Sequence, residues 1–442
     1  MRGVTAPRVS AGDARATLLL LTVTRWFPVG LTVGITTLLA LQRGMSLAQL
    51  GVILAMQGLV VLGLELPTGG LADALGRRPV LLAAGVVALV SGLIFVTAHT
   101  FGGFVVALLL QGLFRALDSG PLEAWYVDTA QADEPGVRVE TSLAHAGTAL
   151  GLSIASGALV SGALVAWNPF SSMTALELPY WVALGFYAVN LLAIAVRMRE
   201  GRTAGGSTRW RQALGSVRAA PRTVVAGLRT LSTSRVLRAL VLVEVFWSVG
   251  MIAFETLMPI RLAELVGGQT HAGALMGPVS AVAWGLFALG SSLAGLASRR
   301  IGVGWTALLA RVLNGALIVV LGLAAGPTGL ITAFLFTYTL HGAGGPAHST
   351  LLHREADPSN RATVLSMNSM VAGGAYTVGL LLLGPLAEHT STALAIIVAG
   401  AFSILGAVFY LPAIREARPA ARRAGAAGAV TDAAGTAPAE HR

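Results

Sequence analysis

The sequence contains no cysteine and no lysine, and only 11% of its 442 residues are charged. Without cysteine, the chain can form neither a disulfide nor a thiolate metal site. Without lysine, it can build neither a Walker A phosphate-binding loop nor a lysine Schiff base. Soluble domains average about 25% charged residues, so this chain has too few charges to cover a water-facing surface in the usual way.

Apolar residues make up 55% of the chain. They form twelve segments of about 20 residues or more, each long enough to cross the hydrocarbon core of a bilayer. We therefore predict an all-α membrane protein with twelve transmembrane helices. The predicted helices are 16–41, 47–73, 79–98, 103–128, 140–167, 176–197, 237–264, 271–297, 304–325, 328–352, 363–387 and 391–412.

This order of segments predicts five parts of the chain. They are an N-terminal segment (1–15), a first set of six helices (16–197), a basic linker (198–236), a second set of six helices (237–412) and a disordered tail (413–442). The first segment lacks the small-residue cleavage context of a signal peptide. We therefore expect the first apolar run to remain as a membrane anchor.

The placement of the 30 arginines predicts the orientation of the helices. With the N-terminus in the cytoplasm, 25 arginines fall on the inner side, two on the outer side and three within helices. This asymmetry is what the positive-inside rule expects. It predicts a multi-pass protein of the plasma membrane with both termini in the cytoplasm. The linker has one acid, Glu200, between Arg197 and Arg238, and we expect it to contact anionic lipid headgroups rather than nucleic acid.

The turn between the second and third predicted helices has an unusual charge pattern. It reads Gly69-Gly-Leu-Ala-Asp73-Ala-Leu-Gly76-Arg77-Arg78-Pro. Gly69 allows a neighbouring helix to approach closely, and Gly76 permits a tight reversal of the chain. Asp73 is placed to pair with an arginine or to accept a hydrogen bond from the start of another helix.

This pattern resembles the signature of the major facilitator superfamily. A degenerate second copy without the acid runs from Gly295 to Gly302, between the eighth and ninth predicted helices. The twelve helices, the basic linker and this second copy resemble that family along nearly the whole chain. The resemblance implies two six-helix bundles that rock about a central cavity, with alternating access driven by an ion or solute gradient.

The resemblance also implies a gate at this turn. Asp73, Arg77 and Arg78 would form a latch in the outward-facing state, together with Gly69 and Gly76, and Asp128 at the inner end of the fourth helix resembles their partner. The alternative interpretation is that the two arginines only enforce the topology.

The fourth predicted helix carries four ionisable residues, Arg115, Asp118, Glu123 and Asp128. Each costs about 2.5–3.5 kcal/mol to insert into a bilayer, so we expect them to face protein or a wet cavity. Arg115 and Asp118 are three residues apart and can pair on one helix, whereas Glu123 is expected to meet another helix. Pro121 can kink this helix.

The resemblance further implies a proton-coupling role for Arg115, because members of the family often carry such an arginine in the fourth helix. An ion pair that only holds the bundle together is the alternative. Asp118, Glu123 and Glu65, which shares one stripe of the second helix with Gly69 and Asp73, are the candidate proton carriers.

Five further residues are candidates for the substrate cavity, namely Arg25, Trp26, Glu255, Arg311 and His341. Arg25 could attract an anion or neutralise Asp118 or Glu123 across the bundle. Glu255 could instead be an exposed carboxylate at the outer end of its helix. His341 and His348 share a face, but Gly344-Gly-Pro346 is expected to break the helix between them, which favours packing over a proton relay.

These features predict a secondary transporter and not an enzyme, because the chain has neither an Asp-Asp-x-x-Asp nor a His-Glu-x-x-His pattern. We expect proton-coupled export of a small apolar or amphiphilic compound. The alternative is a proton-coupled importer of a small anionic solute.

The fifth helix lacks the Gly-Pro element of many drug/proton antiporters in the family, which weakens an assignment as a drug/proton antiporter. We expect a monomer in the lipid bilayer without cofactors or metals.

Overall fold

The computed structural model describes residues 9–200, 224–357 and 360–416. In these ranges the chain forms twelve long helices, labelled α1 to α12, which confirms the predicted all-α fold. They are α1 (Ala11–Val33, extended by Thr36–Gln42), α2 (Leu47–Leu75), α3 (Arg77–Thr97), α4 (Phe101–Asp118 and Pro121–Asp133), α5 (Val139–Trp167), α6 (Leu178–Arg197), α7 (Arg235–Val266), α8 (Gln269–Ile301), α9 (Val303–Leu323), α10 (Pro327–Glu355), α11 (Arg361–His389) and α12 (Thr392–Glu416).

Eleven of these helices, within the described ranges, are long and apolar enough to cross a membrane. The remaining helix, α10, has 29 residues but includes three histidines and five threonines, so it is less apolar than the others. It packs against α8 and α9 in the second set of helices, and its polar residues Thr337 and His348 are buried there.

Three predicted boundaries need correction. α1 begins at Ala11 rather than at 16, because the side chain of Ser10 caps it by accepting a hydrogen bond from the Asp13 amide at 3.0 Å. The fourth helix is broken rather than kinked, because Gly120 is left-handed (φ +93°) and Pro121 starts a new helix. The predicted linker contains a helix at 224–233. Residues 1–8, 201–223 and 417–442 of the predicted terminal and linker segments lie outside the described residues.

Two equivalent turns show that the halves repeat one structural unit. Gly76 joins α2 to α3 with φ +98° and ψ 149°, and Gly302 joins α8 to α9 with φ +86° and ψ 152°. Both angles lie in a region that is open to glycine but not to residues with a side chain. The faint sequence echo between the two turns therefore reflects the same backbone conformation.

The two halves meet where α2 packs along α11 and α5 packs along α8. At the end opposite the arginine-rich turns, side chains of both halves form one hydrophobic cluster that includes Leu38, Phe104, Phe254 and Leu330. Toward the arginine-rich end, the described clusters belong to one half each. Among the described residues, apolar side chains of the two halves therefore close the opposite end, and no described cluster joins the halves at the arginine-rich end.

Candidate functional site

Three cavities lie between and within the halves. The central cavity has a volume of about 400 Å³ and is lined by α2, α4, α7 and α11. A second cavity, of about 260 Å³, lies inside the first half and is called the N-terminal cavity. A third, of about 520 Å³, is lined by α1, α4 and α5 and is called the mouth cavity. Arg115 lines all three cavities. This shared residue marks the centre of the candidate site.

The walls of the central cavity combine polar and apolar groups from both halves. The first half contributes Leu54, Gln57, Gly58, Val61, Leu62 and Arg115, and the second half contributes Trp247, Ser248, Met251, Glu255, Ser369, Ala372, Gly373, Tyr376 and Thr377. Cavities that bind small molecules are mostly apolar with a few placed polar groups. This composition fits an amphiphilic ligand of modest size.

Asp118 forms an ion pair with Arg25 of α1, as expected for one of the two roles of Arg25, and not with Arg115 on the same helix. The first part of α4 ends at Asp118, where the carboxylate faces the negative end of the helix dipole. A cation from another helix offsets that unfavourable position. The guanidinium of Arg25 also lies 4.1 Å from the ring centre of Trp26 and 5.2 Å from that of Phe114.

Arg115 is left without an ion pair among the described residues, and its side chain is exposed to the cavities. Glu123 is exposed as well and lines the mouth cavity. The prediction that Glu123 meets another helix is wrong, because its side chain is exposed and has no ion-pair partner among the described residues. Arg25 and Trp26 line both the mouth and the N-terminal cavities.

Glu255 lies on an irregular turn of α7 that faces the central cavity. The five residues Ala253–Leu257 form a π-helical turn, a local widening that is frequent at functional sites. The hydroxyl of Tyr338 donates a hydrogen bond to the Glu255 carboxylate at 2.5 Å. The Thr256 and Tyr376 hydroxyls are 3.0 Å apart. Glu255 therefore lines the central cavity, where it is a candidate residue, and is not the exposed outer-end carboxylate of the alternative interpretation.

His341 lies among aromatic rings and outside the three cavities. Its ring centre is 5.2 Å from each of Trp247, Phe254 and Phe287, and 5.8 Å from Tyr338. The expected break at Gly344-Gly-Pro346 is absent, since α10 continues to Glu355. His341 therefore supports the wall behind the central cavity rather than lining it.

A buried polar network occupies the interior of the second half, and sequence analysis missed most of it. Glu244 Oε1 is 3.0 Å from His348 Nε2 and 3.9 Å from an Arg311 guanidinium nitrogen. The Tyr410 hydroxyl is 3.0 Å from His348 Nδ1 and accepts from Arg311 Nε at 3.4 Å. Asn368 Oδ1 is 3.3 Å from His348 Nε2. Arg311 is only 3% exposed, so its predicted place in the cavity is wrong.

At the arginine-rich turn, Arg77 forms an ion pair with Asp128 and donates to the carbonyl of Ala124 at 2.9 Å. Arg78 donates to the Ala195 carbonyl at 2.7 Å. These contacts tie α3 to α4 and α6 within the first half. The side chains of Glu65, Gly69 and Asp73 lie outside the described residues, so the structure adds nothing on their predicted roles.

Sequence analysis also did not place Glu200 in a functional site. Its two carboxylate oxygens accept hydrogen bonds from the backbone amides of Arg77 and Arg78 at 2.9 and 3.1 Å. These amides are among the four unpaired donors at the start of a helix. The available signal was that Glu200 is the one acid in a strongly basic segment. Within the described ranges, no three His, Asp or Glu side chains are grouped to hold a metal ion.

The chain belongs to the Major Facilitator Superfamily, whose sequence profile matches residues 18–345. It is therefore a membrane transporter and not an enzyme. No curated protein sequence matches the chain.

Solved structures show the same fold at low sequence identity. The nucleoside transporter NupG is 11% identical with a TM-score of 0.73, and the alignment covers 90% of this chain and 98% of NupG. A bacterial homologue of the human drug peptide transporters PepT1 and PepT2 is 11% identical with a TM-score of 0.67, over 93% and 100% of the two chains. A structure from the proton dependent oligopeptide transporters is 10% identical with a TM-score of 0.66, over 91% and 98%.

Proposed function

We propose that this chain is a secondary active transporter that exports a small amphiphilic compound by alternating access, driven by proton entry. The central cavity carries this proposal. It lies between the halves, combines Arg115 and Glu255 with apolar and aromatic side chains, and is sealed on one side by the hydrophobic cluster at the opposite end. A substrate reaches such a cavity from one side of the membrane only, as alternating access requires.

The arginine distribution supports export as the proposed direction. The positive-inside rule assigns the arginine-rich end to the cytoplasm, so the cavity is accessible from the cytoplasm in this conformation. A transporter that is loaded in this state carries its substrate outward. Both termini are then cytoplasmic, and we expect a monomer in the plasma membrane.

Proton coupling is supported by carboxylates along the path. Asp118 and Glu123 line the mouth cavity, and Glu255 lines the central cavity. Ionisable side chains at bilayer depth commonly form proton pathways. The fold shared with a proton dependent oligopeptide transporter is consistent with this type of coupling.

The proposal is tested by expressing the full chain in a bacterial host that lacks its major efflux pumps. We expect raised resistance to some amphiphilic toxins, and proton-driven uptake of ethidium or of 8-anilinonaphthalene-1-sulfonate into everted vesicles. A protonophore should abolish this uptake. If the host gains no resistance across a broad toxin panel and the vesicles show no gradient-dependent flux, the proposed export is wrong.

A second candidate, import of a small organic anion, is favoured by one observation. Arg115, which has no ion-pair partner among the described residues, presents its guanidinium to all three cavities, and such a group recognises a carboxylate or phosphate. Inward uptake of radiolabelled organic acids by intact cells that is lost in Arg115→Gln would favour import over export. Uptake equal to that of the empty host would exclude it.

A further inference from the structure

The buried network of the second half contains a histidine whose two ring nitrogens have different partners. Nε2 faces the oxygen atoms of Glu244 and Asn368 at 3.0 and 3.3 Å, so with Glu244 ionised the proton of neutral His348 belongs on Nε2. Nδ1 faces the Tyr410 hydroxyl at 3.0 Å. Because a hydroxyl both donates and accepts, Nδ1 can stay bare or take up a second proton in the same place.

Five helices supply the groups around this histidine. α7 contributes Glu244, α9 contributes Arg311, α10 contributes His348 itself, α11 contributes Asn368 and α12 contributes Tyr410. With neutral His348, the charges of Glu244 and Arg311 balance. One added proton, on either Glu244 or His348, leaves a net positive charge in this site. The side chains of Glu244, Arg311 and His348 are only 3–5% exposed.

An uncompensated charge in such a site is unfavourable. The added proton therefore disfavours the packing of the five helices seen here, in which the charges of Glu244 and Arg311 balance. Two of these helices, α7 and α11, also line the central cavity. The network can thus act on the cavity without contacting the substrate.

Two contacts join the network to the cavity wall. The Arg311 guanidinium lies 4.2 Å from the ring centre of Trp247, and Trp247 lines the central cavity. Asn368 is followed in the chain by Ser369, which also lines the cavity. The network is therefore one side-chain layer away from cavity water, close enough for proton exchange when the halves move.

We propose that the Glu244–His348 pair is a proton-binding site, separate from the carboxylates that line the cavities, and that its occupancy destabilises the conformation open at the arginine-rich end. The inference rests on the proposed proton coupling, because it assigns one place where the coupled proton is held.

The absence of cysteine makes a substrate-free test direct, since two introduced cysteines are the only labelling sites. Ala144→Cys on α5 and His353→Cys on α10 are exposed positions in the two halves near the arginine-rich end. With spin labels at both, the full-length protein in lipid nanodiscs is measured by double electron–electron resonance between about pH 5 and 8. We expect acid to shorten the distance, with a defined midpoint.

In this background, Glu244→Gln and His348→Gln should abolish the transition or move its midpoint by about one pH unit or more. Tyr410→Phe, which keeps the ring and the charge, should move the midpoint in the same assay and serves if the other two variants do not fold. Glu134→Gln and Glu416→Gln, which remove exposed acids of the first and second half outside the network and the cavities, are the controls and should keep the parent midpoint.

The proposal is overturned if the parent shows no acid-dependent change. It is also overturned if Glu244→Gln and His348→Gln, or Tyr410→Phe where those do not fold, keep the parent midpoint. Because no substrate is present, a failure of the ethidium and anilinonaphthalene assays would contradict the proposed export and leave this measurement unaffected.

Discussion

Arg25 of α1 and Asp118 of α4 form an ion pair across 93 positions of sequence. In the second half, Glu244 of α7 and His348 of α10 lie 3.0 Å apart. Counted from the start of each half, α7 and α10 are the counterparts of α1 and α4. Both halves therefore join their first and fourth helices through a pair of an acid and a basic side chain, with the acid on opposite members of the pair.

Removing only one member of the Arg25–Asp118 pair should strongly lower the free energy of unfolding. The two side chains are 14% and 9% exposed, so Arg25→Gln leaves a buried carboxylate without a partner. We expect a loss of about 3–5 kcal/mol in the free energy of unfolding, measured by denaturant titration in mixed micelles. The double variant Arg25→Gln/Asp118→Asn removes both charges and should be more stable than Arg25→Gln alone. Equal instability of the two would contradict this account.

The close contact of Gly277 in α8 with Gly162 in α5 should control closure between the halves. A Cβ on Gly277 would lie 2.5 Å from the Gly162 Cα and 2.7 Å from the Ala158 carbonyl oxygen. Gly277→Val should therefore cost about 1–3 kcal/mol of packing energy and open the seal at the opposite end. Ile35, which is 1% exposed in that seal, supplies the readout as Ile35→Cys.

We expect a membrane-impermeant thiol reagent to label Ile35→Cys at least roughly fivefold faster when Gly277→Val is present, as that energy implies. Gly285→Val is the matched control, because a Cβ on this glycine of the same helix meets nothing within 4 Å. Equal labelling in the two valine variants would show that the seal does not depend on this contact.

The sequence predicted what depends on local spacing and composition. The twelve helices follow from apolar length, and the reversal at Gly76 follows from the freedom of glycine. The sequence offers two partners for Asp118, Arg115 on the same helix and Arg25 across the bundle, and spacing along one helix cannot choose between them. Arg25 reaches Asp118 because α1 packs beside α4, which is a property of the tertiary structure.

The same limit explains why the sequence does not predict the network around His348. Glu244, Arg311 and His348 are far apart in sequence and lie on three helices, so no motif brings them together. The sequence shows that these three ionisable residues lie in apolar helices, where burying a charge is energetically unfavourable. It did not show that they neutralise one another, and for this reason Arg311 was expected to face the cavity.

The Arg77–Asp128 pair should matter for transport and not for stability. The Asp128 side chain is 64% exposed, and exposed ion pairs contribute about 0–1 kcal/mol. If this pair is part of a gate, Asp128→Asn should lower proton-driven dye flux strongly while the unfolding midpoint stays constant, and Asp128→Glu should retain flux. Glu134→Gln, which removes an exposed acid at the end of the same helix, is the control. A flux in Asp128→Asn equal to the parent would remove Asp128 from the gate.

The carboxylate of Glu200 should stabilise the start of α3. It accepts from the backbone amides of Arg77 and Arg78, and loss of a helix cap costs about 1 kcal/mol. Glu200→Ala should lower the free energy of unfolding by about that amount in mixed micelles. Glu140→Ala removes an exposed acid from the first turn of α5 and should have a smaller effect. If the two alanine variants are equally stable, Glu200 is not acting as a cap.

Replacing Arg115 should not lower the free energy of unfolding as replacing Arg25 does, although both arginines lie at bilayer depth. Arg115 has no ion pair in the described part of the chain, so Arg115→Gln leaves no carboxylate unpaired and should keep or slightly raise the free energy of unfolding. Its guanidinium faces all three cavities, so the same variant should lose transport. Arg115→Lys keeps the charge without the planar fork of donors and should restore part of the flux if the residue binds a ligand anion as a point charge. A loss of stability in Arg115→Gln as large as that in Arg25→Gln would show that Arg115 holds the bundle together instead.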